Sequence, residues 1–322
     1  MTHTPDRMLL IAFEPNKLIG GYGDRVVGLV SCKAMAGLLG RDFRIRWTKE
    51  DVTAYIDYSK YSAPSEQEDG PCYTYDCIDR QTALKKQLMT AANPAAVFTP
   101  PVIKFHLNQE IAQYLYANPA FQRSAADYYT DMFAIYKSLY TDILTPTSAS
   151  LARIDAICSD HQRIVGIQIR TGDVYIKNNA NYNPYKAIED VPTSVRGLLT
   201  NIKAHLDHTE TTHTSTTTSY SIFITSDYDD IRAIVETVWP AERILYNSET
   251  AQHIDRPMHG ECSKFFVDSY ILSQRTVRLY VSDYSNYGCV AALSARHDDL
   301  WDLHANPLNK ANLLSKHDRL FA

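Results

Sequence analysis

The 322-residue chain has no uninterrupted apolar run of the ~18 residues that a membrane span requires, so no transmembrane segment is expected. It also lacks the outline of a leader peptide: the apolar stretch from Met8 to Phe13 is cut short by Glu14 and Pro15. Basic blocks are missing too. With 32 Lys and Arg against 37 Asp and Glu the formal net charge is -5, so neither a global nor a local field favours nucleic acid. The six cysteines (Cys32, Cys72, Cys77, Cys158, Cys262 and Cys289) form no CxxC pair and no metal-type cluster. Cys72 and Cys77 are close enough in sequence to bridge in an oxidising compartment; the expected state is free thiols in a cytoplasmic protein. What remains is 45% hydrophobic and 21% charged, the balance of a folded chain rather than a disordered one.

The order of patterns along the chain is that of alternating strands and helices. Met8 to Phe13 reads as a first strand, followed by the glycine turn Gly20-Gly-Tyr-Gly-Asp-Arg25 and a helical pattern through Val26, Val27, Val30, Met35 and Leu38. Gly40 sits where that helix would stop, and Phe43 to Trp47 reads as a second strand, completing the opening of a βαβ unit. Residues 50–105 are polar and proline-rich and predict loops and short helices. Tyr129, Phe133, Tyr136 and Tyr140 recur at spacings of four, three and four, so they share one helix face, with core packing as its purpose.

A polar stretch from Thr145 to Ser150 precedes a second α/β pattern. Strands are expected at Arg163–Ile169, Ser221–Thr225 and Val277–Ser282. Helices are expected at Val195–Leu206, Ile231–Val238, Phe265–Gln274 and Gly288–Ala295. The threonine-rich run Thr209 to Ser219 predicts a solvated loop. The alternation implies parallel sheets with helices on both faces, divided into residues 1–150 and 151–322.

In such sheets ligands bind outside the carboxyl ends of strands. Three polar clusters fall there: Arg170-Thr-Gly-Asp173, Thr225-Ser-Asp227, and Ser282-Asp-Tyr-Ser285-Asn-Tyr-Gly288. The last leads into a helix, whose first N–H groups suit a phosphate, and an arginine beside it supplies a bidentate cation. Together the clusters point to a nucleoside diphosphate.

These residues also carry a resemblance. Ile164-Val-Gly-Ile-Gln-Ile-Arg170-Thr-Gly-Asp173 resembles the "VGVHVRRxD" strand of a fucosyltransferase superfamily. That superfamily joins the core and blood-group-type enzymes, the rhizobial nodulation enzymes and the protein O-fucosyltransferases. Ser221-Ile-Phe-Ile-Thr-Ser-Asp227 is similar to its "xFxATDD" strand. Asp268-Ser-Tyr-Ile-Leu-Ser-Gln274, with the segment through Ser285 to Ala292, is similar to its "DxxxLSQADxLVxTxSSxxxRVA" motif. The turn ending in Asp24 and Arg25 resembles its "GxGNR". The C-terminal motifs keep family order over roughly residues 160–296. Three positions depart from the pattern: Gln168 replaces a histidine, Thr171 a second arginine, and Asp24 an asparagine.

The resemblance implies an α/β GT-B fold, two Rossmann-like domains facing each other across a cleft. It implies an acceptor-side first half and a nucleotide-sugar-binding second half. The implied activity is inverting, metal-independent transfer of fucose from GDP-fucose to a glycan hydroxyl, with no cofactor besides that donor. It assigns Arg170 to the β-phosphate, Ser285 and Asn286 to the diphosphate, and Asp268 to guanine, whose donor edge uracil lacks. Arg25, Gln168, Asp173, Asp227, Ser273 and Gln274 complete the donor-binding set. Asp24 and Glu14, with His106, are candidates for the base on the acceptor hydroxyl; Asp24 read structurally is a helix cap.

Two other readings compete. Asp227-Tyr-Asp229 is a DxD after an apolar strand, the metal-binding pattern of GT-A transferases. A scaffold that binds glycan without turnover is the second. A dehydrogenase is disfavoured, because Gly21-Tyr-Gly23 lacks the third glycine of the dinucleotide fingerprint.

Overall fold

The computed structural model describes residues 7–14, 20–48, 51–63, 72–75, 86, 88–93, 98–159, 161–171, 191–213, 220–228, 230–249, 263–304 and 306–315. The chain folds as two compact units, Met1–Thr147 with Lys310–Ala322, and Ser148–Asn309.

The elements of the first unit are Met8–Phe13 (β1), Tyr22–Leu38 (α1), Asp42–Trp47 (β2), Ile56–Asp57 (β3), Cys72–Tyr75 (β4) and Val102–Leu107 (β5). Ala112–Tyr116 (α2), Ala125–Ser138 (α3) and Thr145–Pro146 (β6) follow. Its main sheet is parallel in the order β2-β1-β5-β4. β1 is apolar at all six positions because both of its faces are covered. β2 is buried at Phe43, Ile45 and Trp47 and only half-buried at Arg44 and Arg46. The face it shares with Lys104 and His106 of β5 is therefore the polar one.

The helix α1 lies hard against the sheet at Gly28. A Cβ there would meet the Leu107 carbonyl oxygen at 2.1 Å, so only glycine allows this approach.

The second unit comprises Ser148–Cys158 (α4), Ile164–Ile169 (β7), Val191–His213 (α5), Ser221–Ser226 (β8), Ile231–Val235 (α6) and Ile244–Tyr246 (β9). Ser263–Gln274 (α7), Arg278–Val281 (β10), Asn286–Leu293 (α8), Leu300–Asp302 (β11) and Pro307–Leu308 (β12) complete it. Lys310–Ser315 (α9) groups with the first unit. The sheet order is β12-β11-β10-β7-β8-β9, parallel except for the β11–β12 pair. Val195, Leu199, Ile202 and Leu206 of α5 recur every three or four residues and pack on Ile167, Ile222 and Ile224 of the sheet. Each such side chain contributes ~1.5–3 kcal/mol by leaving water.

This strand order decides where a ligand can sit. From β7 the chain runs through α5 to β8 on one side; from β10 it runs through α8 to β11 on the other. The adjacent ends of β7 and β10 are thus the switch point, where the diverging connections leave a crevice.

Three expectations need correction. Residues 50–105 are not merely loops and short helices: β4 lies there and β5 begins at Val102. Lys104 and His106 mask β5 as a strand because its polar face is buried. The core stripe of α3 is Tyr128, Met132 and Tyr136; of the predicted face Tyr136 and Tyr140 are buried, while Tyr129 and Phe133 stack beside the stripe at half burial. Finally, α5 continues through Thr209, whose hydroxyl donates to the His205 carbonyl at 3.0 Å; residues 214–219 lie outside the described residues.

Candidate functional site

Arg170 is the first residue beyond β7, and the end of β10 fixes its backbone. Its N–H donates to Ser282 Oγ at 2.9 Å, and the Tyr284 hydroxyl donates to its carbonyl. The guanidinium is aimed by Asp227, at 3.4 Å from Nε to Oδ2. Asp227 is braced in turn: its Oδ1 accepts from the Thr171 N–H at 2.7 Å and the Thr171 hydroxyl at 2.8 Å. The Arg170 side chain keeps 28% of its exposure and that of Asp227 only 6%. The charge presented to solvent is therefore the cation, and it is preorganised.

Beside it α8 begins. Ser285 is the N-cap and accepts from the Gly288 N–H at 3.5 Å. A hydroxyl that accepts in this way still has its own O–H to donate. Helix geometry leaves the first N–H groups of α8 without an intrahelical partner, and the macrodipole makes this end positive. Gly288 is required here: a Cβ would stand 2.4 Å from Gln168 Oε1 and 3.1 Å from the Ser282 carbonyl. Gln168 is buried, and its Oε1 accepts from the Ser282 N–H at 3.3 Å, so it props this turn from below.

Asp268, on α7, is 0% exposed. Its Oδ2 accepts from Thr225 Oγ1 at 2.6 Å and faces Lys264 Nζ at 2.9 Å; its Oδ1 accepts from Asn247 Nδ2 at 2.8 Å. Asn247 is held by Arg153 Nη2 at 3.0 Å, and Arg153 also pairs with Glu249. A continuous polar network thus ties the carboxyl ends of β8 and β9 to α4 and α7.

In the first unit Asp24 Oδ2 accepts from the Gly21 N–H at 2.9 Å and completes the cap of α1. Arg25 is 0% exposed; its Nε donates to the Gly20 carbonyl at 3.2 Å and its guanidinium lies on the rings of Phe13 and Trp47. Glu14, the first residue after β1, meets Lys104 Nζ at 3.1 Å and His106 Nε2 at 3.3 Å. His106 Nδ1 is 3.0 Å from the Ala12 carbonyl.

No protein-family model matches the chain, and no curated protein matches it in sequence. Solved structures do. A fucosyltransferase of Arabidopsis thaliana, FUT1, solved with GDP, aligns at TM-score 0.60 and 15% identity over 92% of this chain and 70% of that one. The fucosyltransferase NodZ from Bradyrhizobium aligns at 0.51 and 16% identity, over 91% and 94%. POFUT1 in complex with GDP-fucose aligns at 0.53 and 10% identity, over 94% and 99%. The chain has the fold of these fucosyltransferases. The expected α/β fold of GT-B type is therefore what the structure has.

The fold brings Arg170, Gln168, Ser285 and Asn286 together at the switch point, with Asp227 directly behind Arg170. Ser273 and Gln274 go elsewhere. They end α7, which enters β10 at its amino end, opposite the ligand edge. Ser273 Oγ donates to the Ser269 carbonyl at 2.8 Å, and Gln274 Nε2 donates to the Ser294 carbonyl at 2.8 Å. Arg25 and Asp268 are enclosed, each by its own internal partners, so neither presents its head group to a ligand as the side chains stand. Asp173 and Asp229 lie outside the described residues.

Sequence reasoning passed over Ser282 as Arg170's partner, and Asn247 and Lys264 as partners of Asp268. Asn247 directly follows β9, so the strand-end rule applied to a three-residue strand would have found it.

Cys32, Cys158 and Cys289 are free and buried; burial pushes the Cys158 thiol up to about 11 and that of Cys289 up to about 12, so neither is a nucleophile near neutral pH. Cys77 and Cys262, and the side chain of Cys72, lie outside the described residues. Among the described residues no group of three or more His, Cys, Asp or Glu could hold a metal ion, and no helix is long and apolar enough to cross a membrane.

Proposed function

We propose that this chain is a glycosyltransferase that moves fucose from GDP-fucose to a hydroxyl of a glycan acceptor, with inversion and without a metal ion. One observation carries the reading: a braced, partly exposed arginine and a serine-capped helix start share the switch point of a fold common to fucosyltransferases, two of which were solved with GDP or GDP-fucose. As the bond from sugar to β-phosphate breaks, charge gathers on the departing diphosphate. Arg170 opposes that charge, and the α8 N-terminus with the Ser285 hydroxyl and Asn286 takes the remaining oxygens.

Asp227 and Gln168 serve as the supports that aim these groups. Asp268, shut inside its network, holds Thr225 and Asn247 at the ends of β8 and β9. The pairing of Asp227 with Arg170 and Thr171 speaks against the metal-binding reading of Asp227, because both its oxygens are committed to protein donors.

Thermal shift with nucleotides tests the proposal. GDP and GDP-fucose are expected to raise the melting temperature, while UDP and NAD are not. Ligand at ~100 times its dissociation constant adds about 2.7 kcal/mol of stability. A larger shift with UDP than with GDP sinks the donor assignment.

A further inference from the structure

We propose that Tyr284 selects the sugar of the donor: its ring packs against the apolar, methyl-bearing face of a deoxyhexose whose diphosphate lies on Arg170 and the α8 N-terminus. The assignment rests on the donor reading above and deepens it, from the nucleotide that is bound to the sugar that is accepted.

Exposure marks Tyr284 first. Among the described residues the large hydrophobic side chains left exposed are Val277, at 40%, and Tyr284, at 50%. Val277 precedes β10, at the amino end of the sheet. Tyr284 lies between β10 and α8 at the carboxyl end, beside the two groups that take the diphosphate. A single exposed aromatic residue is ordinary on a protein surface. This one is held in place.

Its backbone sits in a closed turn. The Ser285 N–H donates to the Ser282 carbonyl at 2.9 Å, and Ser285 then caps α8. The ring is tied down separately, because its hydroxyl donates to the Arg170 carbonyl. Partial burial pushes this phenol above its ordinary value, against a hydrogen bond with Ser282, and the Asp227 and Asp302 carboxylates add to the rise. The hydroxyl therefore keeps its proton and goes on donating.

A side chain fixed at both ends loses little freedom when a ligand settles on it. With its one polar group turned onto the protein, Tyr284 offers aromatic carbon to whatever lies above it. The result is an apolar plate next to a cation. It fits a ligand in which an anionic group adjoins an apolar face.

The order of groups along the strand ends says which part of the donor meets the ring. Asp268, the residue assigned to guanine, is bonded to Thr225 at the end of β8 and to Asn247 just after β9. Arg170 reaches from the end of β7 towards β8, where Asp227 pairs with it. Tyr284 spans the gap between the ends of β10 and β7. A donor with its base at β8 and β9 and its β-phosphate on Arg170 thus carries its sugar onward to Tyr284. Fucose suits this place because its C6 is a methyl group, which gains by leaving water where a hydroxymethyl group would not.

The test is equilibrium binding, measured by calorimetry without acceptor, of GDP, GDP-fucose and GDP-L-galactose. The last is GDP-fucose with a hydroxyl on C6, and GDP reports the nucleotide alone. Wild type is expected to bind GDP-fucose at least ~4-fold more tightly than GDP-L-galactose, the worth of one buried methyl group. Tyr284→Ser, which restores the paired serines of the resembled motif, is expected to lower GDP-fucose affinity relative to GDP by ~4–10-fold and to erase the preference. Tyr284→Phe keeps the ring without the hydroxyl and is expected to retain the preference within about twofold. An equal loss for GDP and GDP-fucose in Tyr284→Ser puts the ring under the nucleotide and overturns the inference. So does a preference that Tyr284→Phe loses as fully as Tyr284→Ser, because the hydroxyl is then its cause. Should Tyr284→Ser fail to fold, the wild-type comparison decides, and equal affinity for the two sugar nucleotides refutes selection by the ring. All these outcomes leave the donor reading intact while GDP binds. A wild type that binds no GDP overturns that reading, and the role of Tyr284 with it.

Discussion

Replacing Arg170 separates the proposed chemistry from mere scaffolding, because its two kinds of contact lie on different atoms. The backbone bonds to Ser282 Oγ and from the Tyr284 hydroxyl do not involve the side chain and survive Arg170→Ala. The loss includes the ion pair with Asp227, at 3.4 Å from a partly solvated guanidinium. Pairs of that kind contribute ~0.2–1 kcal/mol. Asp227 also keeps both Thr171 hydrogen bonds, so it is not left as a bare buried charge. The stability cost is therefore about 1 kcal/mol, a shift of a few degrees in Tm. The catalytic cost is larger. A preorganised donor aimed at developing charge contributes ~10²–10³ in rate, and a charged fork contributes at least that. Arg170→Lys keeps the charge but loses the planar fork and the Nε that Asp227 holds, so it too is expected to remain at least tenfold slow. The assay is GDP release from GDP-fucose in the presence of acceptor, beside thermal melts of the same preparations. A folded Arg170→Ala protein that transfers fucose at near wild-type rate refutes the assignment.

Other outcomes follow from the same geometry. Turnover is expected to survive excess EDTA, and Asp229→Asn to leave it within a few-fold; loss with EDTA and recovery with Mn²⁺ would instead make Asp227 and Asp229 metal ligands. Gly28→Ala drives a methyl into the Leu107 carbonyl, backbone against helix, and is expected to cost at least ~1–3 kcal/mol in urea unfolding; a neutral result would mean that α1 is not seated there. Glu110 is fully buried, and desolvation pushes its carboxyl up to about 7, against hydrogen bonds from Gln113 that pull it down. The folded protein therefore binds the proton more tightly than the unfolded chain, so stability from this group falls as pH rises from the usual carboxylate range to about 7 and is level above it. A shift of that size corresponds to on the order of 3 kcal/mol, and Glu110→Gln is expected to flatten that slope in melts between pH 4.5 and 8.

Much of the second unit was legible because its longer strands carry compact apolar runs. Ile164–Ile169 and Ser221–Ser226 are buried at nearly every position, and each is followed at once by polar residues. The first unit was legible only where it obeys the same rule. Met8–Phe13 does; Val102–Leu107 does not, since Lys104 and His106 interrupt its apolar pattern. Those residues are buried because Glu14 and the Ala12 carbonyl await them from the neighbouring strand, and pairing across β1 and β5 is invisible in the local sequence. The partners of Asp268 were hidden for the related reason that a motif position states which residue is present but not which neighbours occupy it. Its partner Lys264 lies one turn earlier on the same helix and was readable as an i,i+4 pair. Asn247 and Thr225 come from two other strands and were not.

The candidate site shows what strand order adds to strand sequence. Arg170, Ser282 and Ser285 were each visible as residues at or just after strand ends, and by that criterion Asp302 at the end of β11 or Asn247 after β9 had equal standing. They differ only in topology. β7 and β10 are hydrogen-bonded neighbours although more than a hundred residues separate them, and their outgoing connections turn to opposite sides. Only between such strands do the loops part and leave two sets of strand-end groups facing one opening. The bond from the Arg170 N–H to Ser282 Oγ spans that junction and fixes the cation relative to the α8 N-terminus. A diphosphate needs both at once, because its charge is spread over oxygens that no single residue can reach. Breaking the junction without touching either ligand group, as Ser282→Ala does, should therefore weaken GDP binding although Arg170 and Ser285 remain. Unchanged GDP affinity in that variant would mean that the two halves of the site are positioned independently.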